Sequence, residues 1–124
     1  MSRRAIGIVI VVGVALTGCV ADTRPEACDA DEVTIELTVT ADSMTPGNPG
    51  VCREQEVTLV IDSEADGFLH VHGYDQALPA IEVVAGEEVE VDFVADRSGQ
   101  FPIELHLTDD PAGVDIGILT VYEP

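Results

Sequence analysis

The sequence predicts an all-β domain, an antiparallel β-sandwich of about seven short strands. Three observations predict it. Apolar and polar residues alternate with period two in separate runs, most clearly at Val33, Ile35, Leu37 and Val39 and again at Val89, Val91 and Phe93. That is the pattern of strands with one buried face. Turn-forming residues interrupt the runs about every 8–12 residues, as in sandwiches. No stretch beyond the first residues carries a helical period. At 124 residues the chain suffices for one small domain.

The N-terminus stands apart from that domain. Ser2, Arg3 and Arg4 give a positive start, and Ala5 to Leu16 is an unbroken apolar run. It is too short for a membrane span, which takes roughly 20 residues, and it fits the apolar part of a secretory signal. Leu16-Thr17-Gly18-Cys19 follows directly and resembles the lipobox of bacterial lipoproteins. The resemblance implies cleavage before Cys19, lipidation of Cys19, and export to the extracytoplasmic side of a cell membrane. Residues 1–18 are then a signal peptide, 19–30 a lipid anchor and tether, and 31–124 the folded domain.

The domain's elements follow in order. Val33 to Val39 is the first strand. Ser43 to Gly50, with two prolines and two glycines, reads as a loop. Val57, Leu59 and Ile61 mark the second strand, and Phe68 to Tyr74 the third. Pro79 bars a regular helix over Gln76 to Ala80. Ile81 to Val84 is a short fourth strand. The fifth alternates Val89, Val91 and Phe93 with acidic residues. Phe101, Ile103, Leu105 and Leu107 form a sixth, which Pro102 makes irregular or an edge at its start. Asp109 to Gly113 reads as a loop, and Ile116 to Tyr122 as the closing strand.

Charge narrows the partners. The chain has a formal net charge of −19 and no lysine; without residues 1–18 only Arg24, Arg53 and Arg97 face 24 acidic residues. Such a surface repels nucleic acid and anionic headgroups. Solubility, or adaptation to high salt, accounts for it. Membrane attachment therefore falls to the lipid at Cys19, which holds stably when more than one acyl chain is present. With Cys19 lipidated, Cys28 and Cys52 remain as an even pair in an oxidising setting, and a disulfide between them is expected. A monomer is expected. Nothing marks an enzyme: there is no Gly-x-Ser-x-Gly elbow and no phosphate-binding glycine loop. Carboxylates are too frequent for any pair to stand out.

The residues with chemistry at close spacing are in Phe68-Leu69-His70-Val71-His72-Gly73-Tyr74-Asp75, which holds two of the three histidines; the third is His106. Residues i and i+2 of a strand share a face about 6.5–7 Å apart, so His70 and His72 can address one ion. Imidazole suits copper, zinc, nickel and iron. His106 would make a set of three, with Glu104, Asp75 or Asp109 supplying oxygen. Ile103 and Leu105 take the core, so parity turns Glu104 and His106 away from it, and the apolar Leu69 and Val71 allow the same of His70 and His72; the imidazoles then meet either on one outer surface or at the loop-rich end. The structural alternative is a set of histidines bonded to backbone or to Asp75.

His70-Val71-His72-Gly73-Tyr74-Asp75 resembles the segment around the first histidine ligand of cupredoxins. Gly99 to His106 resembles the strand leading into that family's second ligand loop, and Ile116 to Val121 its closing strand. The resemblance covers roughly residues 30–124, and more narrowly the chain is similar to the cupredoxin-like domains of bacterial surface lipoproteins. It implies a Greek-key sandwich. A blue-copper site takes one cysteine, two histidines and usually a weak axial methionine. On this alignment Leu105 falls at the cysteine position, His106 one residue further, and Asp115 near the methionine; His70 alone carries over directly. The expected function is binding of a divalent metal, copper first and zinc second, through His70, His72 and His106, without blue-copper electron transfer. The alternative is a metal-free module that binds a protein partner at the cell surface.

Overall fold

The computed structural model describes residues 26–124. The signal peptide, the lipidation site Cys19 and the tether expected from the sequence lie, up to residue 25, outside the described residues. A single 3-10 turn, Glu26–Asp29, precedes nine strands: β1 Glu32–Val39, β2 Met44–Thr45, β3 Gly50–Cys52, β4 Glu56–Ser63, β5 Gly67–Val71, β6 Ile81–Val83, β7 Glu88–Val94, β8 Gly99–Leu107 and β9 Asp110–Tyr122. They form two sheets, a four-stranded one ordered β2-β1-β4-β7 and a five-stranded one ordered β3-β9-β8-β5-β6. The all-β sandwich is thus present.

The period-two runs explain the layers. Leu37 and Val39 of β1, Val57, Leu59 and Ile61 of β4 and Phe93 of β7 point inward from the first sheet. Leu69 and Val71 of β5, Phe101, Ile103 and Leu105 of β8, and Ile116, Leu119 and Val121 of β9 point inward from the second. The intervening residues face out. On the first sheet they are strongly acidic, and Glu32 lies directly opposite Glu56 and Asp62 opposite Glu88. Like charges so placed repel across the ladder. No helix among the described residues is long and apolar enough to cross a membrane.

Four details differ from the sequence reading. Not all pairings are antiparallel: β1 runs parallel to β4, and β3 parallel to β9. Parallel neighbours need a crossover, and the segment between β1 and β4 supplies it by leaving the first sheet at β2 and adding β3 to the second. Ser43 to Gly50 is therefore not wholly loop; its ends pair, although its prolines and glycines read as breakers. The third strand stops at Val71 rather than Tyr74, because Gly73 takes a left-handed backbone, φ 86°, and turns the chain. Finally, the last strand begins at Asp110, so Asp109 to Gly113 is mostly ladder.

The disulfide links Cys28 to Cys52 with Cα atoms 5.3 Å apart, tying the 3-10 turn to β3. Gln55 reinforces the join: its side chain accepts from the Cys52 amide at 2.8 Å and donates to the Ala30 carbonyl at 2.7 Å. Cys28→Ala is expected to lower stability by about 2–5 kcal/mol, read as a shift in the denaturant midpoint. Mass spectrometry without reductant should find the two cysteines linked; two free thiols in the folded protein would contradict the pairing.

Candidate metal centre

Two strands build the centre. β5 and β8 are antiparallel neighbours with Phe68 opposite His106, Leu69 opposite Leu105, His70 opposite Glu104 and Val71 opposite Ile103. Leu69, Val71, Ile103 and Leu105 are buried. Strand parity then turns His70, Glu104, Phe68 and His106 to the outer face of the second sheet. His72 lies one residue beyond β5 but remains in line, because its amide donates to the Pro102 carbonyl at 2.9 Å.

The three imidazoles meet on this face. The rings of His70 and His72 are 4.5 Å apart between centroids, edge to face, and those of His70 and His106 are 6.5 Å apart. Two carboxylates join them. Asp75, returned toward β5 by the turn at Gly73, meets His70 Nε2 through Oδ1. Glu104 meets two histidines at once: Oε2 contacts His72 Nε2, and Oε1 lies 3.0 Å from His106 Nε2. The Glu104 side chain is 19% exposed and that of His70 27%, whereas Asp75 is 59% exposed. Glu104 is thus the more enclosed carboxylate.

The electrostatics follow from these contacts. The hydrogen bond from His72 is the main cause holding the Glu104 carboxyl below its ordinary range, with the charges of His106, His72 and His70 adding to it against partial burial. Asp75 is lowered chiefly by its hydrogen bond with His70. Both carboxylates are therefore ionised more readily than free ones. As the side chains stand, no three His, Cys, Asp or Glu among the described residues are spaced to close on an ion; the Nε2 atoms face carboxylate oxygens.

The other residues singled out by sequence lie elsewhere. Asp109 is exposed beyond the end of β8, away from these ring contacts. Leu105, which the family resemblance sets at the cysteine position, is fully buried in the core. Asp115 pairs with Glu104 in the β8–β9 ladder. One participant had no signal in the sequence. A Cβ placed on Gly113 of β9 would overlap the Glu104 carboxyl, so the carboxylate rests where Gly113 has no side chain. Gly113 read as part of a loop, and only the β8–β9 register reveals what lies over it.

No protein-family model and no curated protein matches the chain. Several solved structures share its architecture. A copper binding protein, determined by NMR in its apo form, superposes with a TM-score of 0.57 at 16% identity, over 74% of this chain and 89% of its own. A copper nitrite reductase from Nitrosomonas europaea gives 0.56 at 15%, over 74% of this chain and 42% of its own. A multicopper oxidase, mgLAC, gives 0.57 at 19%, over 74% and 39%. The chain thus spans less than half of these two enzymes. At such identities the likeness is one of fold, and the fold is a cupredoxin-like β-sandwich.

Proposed function

We propose that this chain is an exported, lipid-anchored protein that binds one divalent metal ion, copper before zinc, through His70, His72 and His106. The observation that carries the reading is the convergence of all three histidines on one outer patch, at 4.5 and 6.5 Å between ring centroids. Neutral imidazole is a good donor to both metals, and to share an ion the rings must first leave their carboxylate partners. Three solved relatives in fold carry copper in their names, which supports copper first. The test is calorimetric titration of the purified full-length protein with Cu(II) and Zn(II) at about 0.15 M salt, where screening weakens loose attraction to the acidic surface. One ion per chain is expected.

The centre is not a blue-copper carrier on this reading. Such a centre takes a thiolate, whereas the side chain at the matching position is Leu105 and Cys28 is bonded to Cys52. Copper-loaded protein is expected to lack the intense visible absorption of a Cu(II)–thiolate bond. A strong blue colour would overturn the assignment of donors. The protein is read as a binder rather than an enzyme, and as a monomer.

Location rests on Cys19 and the apolar run before it. Cys19→Ala is expected to release the protein from the membrane fraction into the soluble one. Retention of that variant in membranes would require another anchor.

A metal-free module that binds a protein partner is the second reading. Phe68 favours it: 48% exposed and directly opposite His106, it gives the same face an apolar contact.

A further inference from the structure

We infer that the open edge of β7 binds an extended, basic segment of another protein by strand addition. This surface belongs to the first sheet and is independent of the histidine patch on the second.

The argument starts from the edges. Four strands end the two sheets: β2, β7, β3 and β6. β2, β3 and β6 have two, three and three residues, whereas β7 has seven. Very short edges blunt pairing with other chains, and a long regular edge is a template for it. β7 runs in unbroken antiparallel register with β4 from Glu88 to Val94. The Ser63 amide donates to the Glu87 carbonyl and the Ala95 amide to the Gln55 carbonyl, which fixes the phase of the ladder. Val89, Val91 and Phe93 therefore turn their backbone groups to β4, and Glu88, Glu90, Asp92 and Val94 turn theirs outward. Among the described residues no strand lies beyond them.

An apolar surface lies beside the edge. An open groove of about 720 Å³ is lined by Val89 and Val91 of β7, Ile81 of β6 and Leu78, among others. Val89 and Val91 are half-buried, so part of each remains for a partner's side chains. In strand addition the main-chain bonds supply affinity, and pockets for alternate side chains supply specificity.

Charge selects the occupant. Glu88, Glu90 and Asp92 are exposed. The chain has no lysine, and the two arginines of the described residues pair with Glu54, Glu123 and Asp96, none of them on β7. A second copy paired antiparallel about Glu90 would set Glu90 against Glu90 and Glu88 against Asp92, and like charges directly opposite repel. The edge thus rejects itself. A strand with lysine or arginine at alternate positions sets a cation opposite each carboxylate, and its intervening apolar residues fall on the side of Val89 and Val91. The partner is a segment that alternates basic and apolar residues.

The test is fluorescence anisotropy of the full-length protein with a labelled peptide of alternating lysine and valine, as long as β7, at about 0.15 M salt, where loose attraction to the acidic surface is screened. A second probe is the same peptide N-methylated at each lysine. It keeps the charge and loses the N–H groups that an antiparallel added strand turns to β7. The proteins are wild type, Glu90→Gln, Glu90→Pro, the pair Glu88→Gln with Glu90→Gln, and a control pair on β1, Glu32→Gln with Glu36→Gln. Proline at 90 removes an N–H that does not face β4, so an edge strand accepts it. Wild type is expected to bind the plain peptide at least about tenfold more tightly than the methylated one, because several main-chain bonds are lost together. Glu90→Pro should bind at least about fivefold more weakly than Glu90→Gln, and the β1 pair should stay within about twofold of wild type, its charges being remote and screened. The Glu88, Glu90 and Asp92 amides should exchange hydrogen more slowly with the peptide bound. If Glu90→Pro does not fold, the two peptides on wild type decide the matter. The inference is overturned if wild type binds neither peptide, or both alike. It also falls if the β1 pair loses as much affinity as the β7 pair, since the attraction then belongs to the acidic surface as a whole. A dimer of wild type alone, dissolved by Glu90→Pro in sedimentation, would make a second copy the occupant and overturn it too.

Discussion

On the proposed reading, His70→Ala is expected to abolish one-ion binding of copper and zinc without unfolding the protein. His70 is the histidine that meets both others, with ring centroids 4.5 Å from His72 and 6.5 Å from His106; removing it leaves two imidazoles with no third between them. Loss of a direct ligand should exceed the roughly 10–100-fold cost of losing an outer partner. His72→Ala should abolish or greatly weaken binding, and His106→Ala reports whether the third ring is a donor. Stability should change little, since His70 lies on the outer face and exposed-side substitutions usually stay within about 0.5 kcal/mol. Acid should act in the same direction as the mutation. Neutral imidazole is the ligand form, so affinity falls as acid protonates the rings. The carboxylates do not drive that loss. Asp75 and Glu104 have lowered pKa values in the fold, so the stability they contribute is present above their unfolded values of about 3.9 and 4.3 and is lost only as pH falls through the folded ones. Equal binding by wild type and His70→Ala at about 0.15 M salt would make the histidines structural, and the partner-binding reading would replace the metal one.

Local pattern and long-range pairing account for what was legible in the sequence. Alternation at Val33–Val39 and Phe101–Leu107 is a property of neighbouring residues, and it was enough to read strands, faces and sandwich. The same parity placed Glu104 and His106 away from the core and allowed it of His70, as they lie. What escaped depends on partners distant in sequence. The parallel pairing of β1 with β4 arises from a crossover through β2 and β3, two strands of two and three residues too short to show a period. That His70 stands opposite Glu104, and not one place along, is a matter of β5–β8 register, which a single strand does not carry. Gly113 reads as a turn residue until the β8–β9 register sets it under a carboxylate. His72 was expected on β5, and the left-handed backbone at Gly73 places it just past the strand's end instead.

Tyr74→Ala is expected to cost about 3–5 kcal/mol, the range for deleting a buried aromatic ring, read as a loss in denaturant midpoint. Tyr74 is 1% exposed and heads the largest fully buried side chains. Its ring lies edge-on to Phe101 of β8 at 4.5 Å and to Phe93 of β7 at 5.9 Å between centroids, so one side chain joins the two sheets. Its hydroxyl donates to the Arg97 carbonyl at 2.7 Å and accepts from the Arg97 amide at 2.9 Å, which pins the β7–β8 connection. Tyr74→Phe keeps the ring and removes both part-buried bonds, so it isolates the polar share, about 0.5–1.5 kcal/mol per bond. Alkali supplies an independent check. Burial is the main cause raising the Tyr74 hydroxyl's pKa, so the fold favours the neutral phenol. That contribution is fully present below the unfolded value of about 10 and is lost as pH rises through the folded value. Wild type should lose stability in that alkaline window more steeply than Tyr74→Phe, which has no hydroxyl to ionise there. Tyr74 also leads into Asp75, the partner of His70, through the turn at Gly73. Tyr74→Phe should therefore loosen that turn as well, and weaken metal binding less than His70→Ala does. If Tyr74→Phe matched wild type in both midpoint and alkaline slope, the hydroxyl would contribute nothing to the fold.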